Sequence, residues 1–182
     1  MVISFCIPGN EFSNRFLESW TNLVKTLSCK WHLFTGYIPN ISYNRQVLLD
    51  RAKMIRPTHY MWIDSDQVFK PEDFYKLIEH DKDIVSGIYH KTQNGDYACK
   101  TLNMDPLTDK DIENKKELIE VHSNGMGWML VKSLVYYRME GPFVPIKEWW
   151  EDTSFQIRAK QLGYKSYIDP NIIIGHEKLI TI

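Results

Sequence analysis

The chain has 182 residues, of which 43% are hydrophobic, and its 22 basic and 23 acidic side chains give a formal net charge of −1. This length and apolar content suit one globular domain and exclude a disordered chain. The balanced charge gives no reason to expect a nucleic acid or an anionic membrane as partner, and no apolar run approaches the roughly 20 residues of a membrane helix. The cysteine count of 3 is odd and no pair has CxxC spacing, so we expect a reducing, cytoplasmic compartment.

The first half of the chain alternates predicted strands and helices. Ser13 is expected to cap the first helix, residues 45 to 55 to form the second, and Pro71 to lie in the first turn of the third. The strands between them are predicted at MVISFCIP, KWHLFTGYI, HYMWID and DIVSGIYHK. This alternation favours a mixed, mainly parallel α/β sheet flanked by helices.

The second half is less regular. Residues 94 to 117 are polar and predict a loop or a hairpin with a surface helix. Short helices are predicted at residues 133 to 139 and at EDTSFQIRAKQLG, where Gly163 ends the helix. The remaining strand-like segments are LIEVH and WMLVK on either side of NGMG, then YKSYI, and finally NIIIGHEK. No repeat or linker interrupts the chain, which favours a single domain.

Two acids follow the apolar strand HYMWI. Asp64 and Asp66 share one face at the strand end, where ligands bind in open α/β sheets. Two carboxylates so close repel each other, and Mg²⁺ or Mn²⁺ holding a diphosphate would resolve that repulsion. The alternative is a turn in which the acids bind the backbone that follows. His176 follows the apolar run IIIG and is a candidate third ligand, which favours Mn²⁺.

In chain order these segments resemble a GT-A fold nucleotide-sugar glycosyltransferase, a DxD enzyme similar to glycosyltransferase family 2. The segments that carry the resemblance are PGN, YNRQVLLDRA, WIDSD, NGMGWMLVK, WWEDTSFQIRAKQLGYKSYI and GHEK. The chain has Asn44-Arg45 where the family has Arg-Asn. The resemblance implies an unusually small, core-only catalytic domain over residues 1–182, with a nucleotide-binding half at about 1–92 and an acceptor and sugar half at about 93–182.

The resemblance also implies an activity: transfer of a sugar from a nucleotide-sugar donor, with a UDP-sugar favoured, to the hydroxyl of a glycan or other acceptor. Inversion is favoured, with Asp152 as the base and Glu151 as the alternative base. Mn²⁺, or alternatively Mg²⁺, would be held by Asp64, Asp66 and His176. Donor contacts are expected from Pro8, Gly9, Asn10, Arg45, Asp64 and Ser65. Sugar or acceptor contacts are expected from Gly125, Met126, Gly127, Trp149 and Trp150.

Other interpretations of these residues stay open. Asp152 also suits a helix N-cap, the two tryptophans also suit the core, and NGMG also suits a hairpin turn. Basic side chains that could meet phosphate but more often face solvent are Lys91, Arg158 and Lys178. Acceptor recognition would come from the core itself, from a partner or from a homo-oligomer.

Two other functions also fit parts of the pattern. The first is a binding module that holds a nucleotide sugar or glycan without turnover. The second is a haloacid-dehalogenase-like phosphatase, in which Asp64 of IDSDQV would be the nucleophile. In that family the motif follows the first strand, whereas here two strands and two helices precede it.

Overall fold

The computed structural model describes residues 1–91 and 96–177. Lys178 lies outside these ranges. In chain order the elements are β1 (Val2–Pro8), α1 (Asn14–Thr26), β2 (Lys30–Gly36), α2 (Ile41–Lys53), β3 (His59–Ile63), β4 (Gln67–Val68), α3 (Pro71–Glu79), β5 (Ile84–Ile88), β6 (Cys99–Lys100), α4 (Asp109–Ile112), β7 (Ile119–Val121), β8 (Ser123–Asn124), β9 (Trp128–Lys132), α5 (Ser133–Tyr137), α6 (Glu151–Gln161), β10 (Ser166–Ile173) and β11 (Gly175–His176).

The main sheet has seven strands in the order β2-β1-β3-β9-β5-β10-β7. Strands β2, β1, β3, β5 and β10 run in one direction, while β9 and β7 run in the other. This mixed, mainly parallel sheet with flanking helices confirms the predicted fold class.

The central strand β3 is buried on both faces. Met61 and Ile63 pack into the hydrophobic cluster on one side of the sheet, and Tyr60 and Trp62 pack into the cluster on the other. Successive side chains of a strand point to opposite faces, so an uninterrupted apolar run is what a doubly covered strand requires. This strand carries the acidic pair to the sheet edge.

Three helix boundaries match the sequence signals. Ser13 caps α1 by accepting a hydrogen bond from the Phe16 backbone N–H at 3.0 Å, and Pro71 is the first residue of α3. Gly163 has a φ of +88° just after α6, a backbone conformation that favours glycine. Among the residues that the structure describes, none of the helices combines the length and apolar character that a membrane crossing requires.

Two predicted boundaries are wrong. Helix α2 begins at Ile41 and not at residue 45, because the Asn40 side chain accepts a hydrogen bond from the Tyr43 N–H at 3.0 Å and caps the helix earlier. The predicted strand YKSYI and the start of the predicted segment NIIIGHEK belong to one strand, β10, with a register shift between Ile168 and Ile173, and Gly175–His176 of that segment form β11. The short pair β4–β11 was not predicted.

Candidate functional site

The predicted motifs meet at one edge of the main sheet. Strands β1, β3 and β5 run in the same direction, so their carboxyl ends lie at a common edge. The reversed strand β9 begins there, and the Gly127 carbonyl just before it accepts a hydrogen bond from the Asp64 N–H at 3.0 Å. Helix α6 also begins beside this edge, since its first residue, Glu151, accepts a hydrogen bond from Arg45, which also contacts Asp64.

Arg45 contacts Asp64, the first acid of the DxD motif. Its guanidinium contacts Asp64 at 2.8 Å and Glu151 at 3.2 Å, and it is 3% exposed. Burial acts to lower the pKa of Arg45, but the adjacent carboxylates of Asp64 and Glu151 outweigh it and the pKa is raised. Arg45 therefore stays charged and is directed at two protein carboxylates, whereas the resemblance implied a contact with the donor.

Asp66 and His176 face each other beside the antiparallel pair β4–β11. Asp66 Oδ2 lies 3.0 Å from His176 Nε2, and His176 Nδ1 donates to the His90 carbonyl at 2.7 Å. Neighbouring ligands on an octahedral ion with bonds of about 2.1 Å lie about 3 Å apart. Histidine ligands also commonly donate their other ring nitrogen to a carbonyl. The pair therefore fits two ligands of Mn²⁺ or Mg²⁺.

The third predicted ligand, Asp64, is turned toward Arg45. Within residues 1–91 and 96–177, no three His, Cys, Asp or Glu side chains are arranged to hold an ion by themselves. An ion bound by Asp66 and His176 would take its remaining ligands from water or from a diphosphate, as Mg²⁺ commonly does.

The loop after β1 packs against the acidic motif. A Cβ atom on Gly9 would lie 2.3 Å from the Ser65 hydroxyl oxygen, so this close approach requires glycine. Asn10, Ser65 and Asp66 then line an open cleft of about 700 Å³. The structure thus places the predicted donor residues Gly9, Asn10 and Ser65 beside the Asp66–His176 pair.

A second pocket, of about 300 Å³, lies at the start of α6. Its lining includes Gly125, Trp149, Trp150 and Asp152. Trp150 is 74% exposed, whereas Trp149 is half-buried with the Lys100 ammonium 5.3 Å from its ring centroid. The Met126 side chain packs in the hydrophobic core, and the residue as a whole is buried.

Asp152 is the second residue of α6, and the N-cap is Trp150, so the N-cap interpretation of Asp152 is wrong. Desolvation raises the pKa of Asp152, and the neighbouring Glu151 carboxylate raises it further. A carboxylate with a raised pKa is a better proton acceptor near neutral pH. Glu151 is buried on Arg45, so Asp152 is the acid of the pair that faces the pocket.

Tyr89 is a residue of this site that the sequence did not indicate. Its buried hydroxyl accepts a hydrogen bond from the Gly127 N–H at 3.0 Å, and its ring packs edge-on against His176 at 5.2 Å. Burial and then the Asp64 charge raise the pKa of Tyr89 well above its usual range, so the phenol keeps its proton. Tyr89 connects the Asp66–His176 pair to the Gly-rich loop.

The same hydroxyl explains the glycines of NGMG. A Cβ on Gly125 would lie 2.2 Å from the Tyr89 hydroxyl oxygen, and one on Gly127 would lie 2.9 Å from it. We expect Gly125→Ala to lower the free energy of unfolding by about 1–3 kcal/mol through overpacking, measured by urea denaturation. Gly36→Ala is the matched control, because its Cβ would meet Leu48 at an ordinary 3.4 Å. Equal losses in the two variants would contradict this explanation.

Gln156 of α6 holds the strand that leads into this loop. Its side-chain amide accepts from the Asn124 N–H at 3.0 Å and donates to the Asn124 carbonyl at 2.6 Å. The Asn124 side chain in turn donates to the Gly87 carbonyl at 2.8 Å. These buried bonds fix the Gly-rich loop relative to both β5 and α6.

The remaining basic candidates differ in position. Lys91 lines the second pocket. Arg158 donates to the carbonyls of Val144 and Ser154, at 2.6 and 3.3 Å. Arg158 is therefore engaged by backbone carbonyls.

No family model matches the chain, and no curated protein matches its sequence. Solved structures do resemble it. A197 from STIV has a TM-score of 0.66 and 18% identity, with 100% of this chain and 97% of that chain covered. The glycosyltransferase GalNAc-T7, solved with UDP, GalNAc and Mn²⁺, has a TM-score of 0.61 and 13% identity, with 96% of this chain and 43% of that chain covered. At these identities the likeness concerns the fold, and the chain has a GT-A-like fold.

Proposed function

We propose that this protein is a metal-dependent glycosyltransferase of the hexosyltransferase type. It moves a sugar from a nucleotide sugar, with a UDP-sugar favoured, to the hydroxyl of a glycan or other acceptor. The observation that carries this proposal is the Asp66–His176 pair, 3.0 Å apart, beside the cleft of about 700 Å³ at the sheet edge where Asp152 also lies. The GT-A-like fold supports it, as does the presence of UDP, GalNAc and Mn²⁺ with GalNAc-T7.

The cleft would receive the donor. Gly9 and Asn10, which follow Pro8 at the end of β1, would border the nucleoside together with Ser65, and Asp64 would contact the ribose. Mn²⁺, or Mg²⁺ in its place, held by Asp66 and His176 would neutralise the charge on the leaving diphosphate. Asp64, held in place by Arg45, would lie close to that ion.

The second pocket would receive the sugar and the acceptor. Asp152 would take the proton from the attacking hydroxyl, which fits direct displacement and inversion. Trp150 offers an exposed indole face for a sugar ring, while Trp149 would shape the pocket wall. Gly125 would contact the sugar or acceptor from the pocket lining, with the buried Met126 and Gly127 behind it.

The assay is release of nucleoside diphosphate from a panel of nucleotide sugars with Mn²⁺ and mixed hydroxyl acceptors. We expect release from one donor class, with loss on EDTA addition and restoration by Mn²⁺. Metal-dependent donor binding without turnover would replace the transferase with a binding module. Phosphate release from simple phosphomonoesters would instead support the phosphatase interpretation, with Asp64 as nucleophile.

The setting of this activity is part of the same proposal. Cys6, Cys29 and Cys99 are all free thiols, which suits a reducing cytoplasmic compartment. Acceptor recognition beyond the second pocket would come from a partner or from a second copy in a homo-oligomer.

A further inference from the structure

A buried cation joins the two acidic parts of the site. Arg45 of α2 reaches Asp64 after β3 and Glu151 at the start of α6, which is 106 positions away from it in the chain. Arg45 and Glu151 are both buried. Because a buried charge without its partner is unfavourable, this ion pair fixes the beginning of α6 against the end of β3.

The shape of the guanidinium explains why this residue is arginine. Nε faces Glu151 while Nη2 faces Asp64, so one rigid plane sets the separation of the two carboxylates. The Arg45 Cζ also lies 5.5 Å from the centroid of the Trp62 ring, which is fully buried. A lysine ammonium has no such fork and could hold only one carboxylate in a fixed direction.

We propose that Arg45 is a positioning residue that holds Asp64 in place on the donor side and ties it, through Glu151, to the helix that carries Asp152. Glu151 then acts through Arg45 and not as the base. This role rests on the proposed function for the identity of the donor. It differs from the donor contact that the resemblance implied, because the described contacts of the guanidinium are to protein carboxylates.

The test is a double-mutant cycle read by calorimetry of UDP binding in the presence of Mn²⁺, with GDP, CDP and ADP tested in parallel. We expect Arg45→Met to weaken binding about tenfold to a hundredfold, the range of residues that orient a metal ligand, and Glu151→Gln to weaken it by a smaller factor of about three or more, because glutamine keeps an acceptor for Nε. In the Arg45→Met background, Glu151→Gln should change the affinity less than about twofold, because the effects of coupled residues are not additive.

Arg51→Met is the matched control. Arg51 lies in the same helix and contacts the Thr35 carbonyl and the Phe34 ring, so this variant should bind UDP like the wild type.

Circular dichroism confirms folding of each variant, and Arg45→Lys is the second background if Arg45→Met does not fold. Equal effects of Glu151→Gln in both backgrounds would overturn the positioning role, as would folded variants with wild-type affinity, which would make the ion pair merely structural. Nucleotide binding by the wild type without sugar transfer would contradict the proposed function. The double-mutant cycle would still test the positioning role of Arg45, because it measures nucleotide affinity and not transfer. No binding of any of the four nucleotides would overturn both.

Discussion

Replacement of Asp66 by alanine is expected to reduce sugar transfer about a thousandfold while the protein stays folded. Metal-ion stabilisation of a leaving diphosphate contributes several kcal/mol, and each 1.36 kcal/mol corresponds to a factor of about ten in rate. Asp66 is partly exposed, and its described side-chain contacts are to His176 and, at 3.4 Å, to Gln67. Removing its carboxylate should therefore abolish the proposed metal ligation without a large loss of stability.

The measurement pairs the transfer rate with Mn²⁺ binding, followed by the electron paramagnetic resonance signal of free Mn²⁺. Asp81→Asn is the control, since Asp81 is an exposed acid that pairs with Lys132 just before β5, at the opposite edge of the sheet. We expect that control to bind Mn²⁺ like the wild type. Wild-type Mn²⁺ affinity and transfer rate in Asp66→Ala would contradict the metal assignment.

Replacement of Asp152 by asparagine is the second large effect. We expect the transfer rate to fall about a hundredfold to ten thousandfold, the contribution of a general base, while the affinity for UDP with Mn²⁺ changes less than about threefold. This split separates a residue that moves a proton from one that binds the donor. Near-normal transfer by Asp152→Asn would exclude Asp152 as the base.

The raised pKa of Asp152 fixes the sign of two pH effects. The base must be ionised, so kcat/KM should rise with pH, and the midpoint of that rise should lie above about 3.9, the usual pKa of an aspartate.

The same shift affects stability. Because the pKa of Asp152 is higher in the folded state than in the unfolded state, its contribution to stability is present at low pH and is lost as pH rises through the folded-state pKa. Asp152→Asn should therefore be more stable than the wild type at neutral pH, measured by urea denaturation.

The parts of the fold that were predicted correctly carry strong local signals. The run from Tyr60 to Ile63 is apolar at every position, and this is what a strand buried on both faces needs. Ser13 and Pro71 are capping and first-turn residues whose effects act over three or four positions. Such features depend on the nearby sequence alone.

The parts that were missed depend on long-range packing. Tyr89 lies in the predicted strand DIVSGIYHK and has no local mark of function, yet the fold places its hydroxyl against Gly125 and Gly127. The glycines of NGMG were interpreted as access for a substrate, and the structure shows that the tyrosine occupies the space beside them. The Arg45–Glu151 pair likewise joins two helices whose contact no periodicity predicts.

The site residues themselves divide in the same way. The structure brings Asp66 and His176 into one pair, as their positions after apolar runs suggested, although they are 110 residues apart. It directs Asp64 toward Arg45, which the DxD pattern alone does not indicate. The roles of these residues in binding and transfer stay predictions that the variants above address.

The most direct test of the account is a crystal structure of the protein with Mn²⁺ and UDP, with the ion located by its anomalous scattering. The account predicts one Mn²⁺ about 2.1 Å from both Asp66 Oδ2 and His176 Nε2, with the diphosphate completing its coordination. An ion and nucleotide bound away from this pair, or UDP bound with no ion beside Asp66, would contradict it.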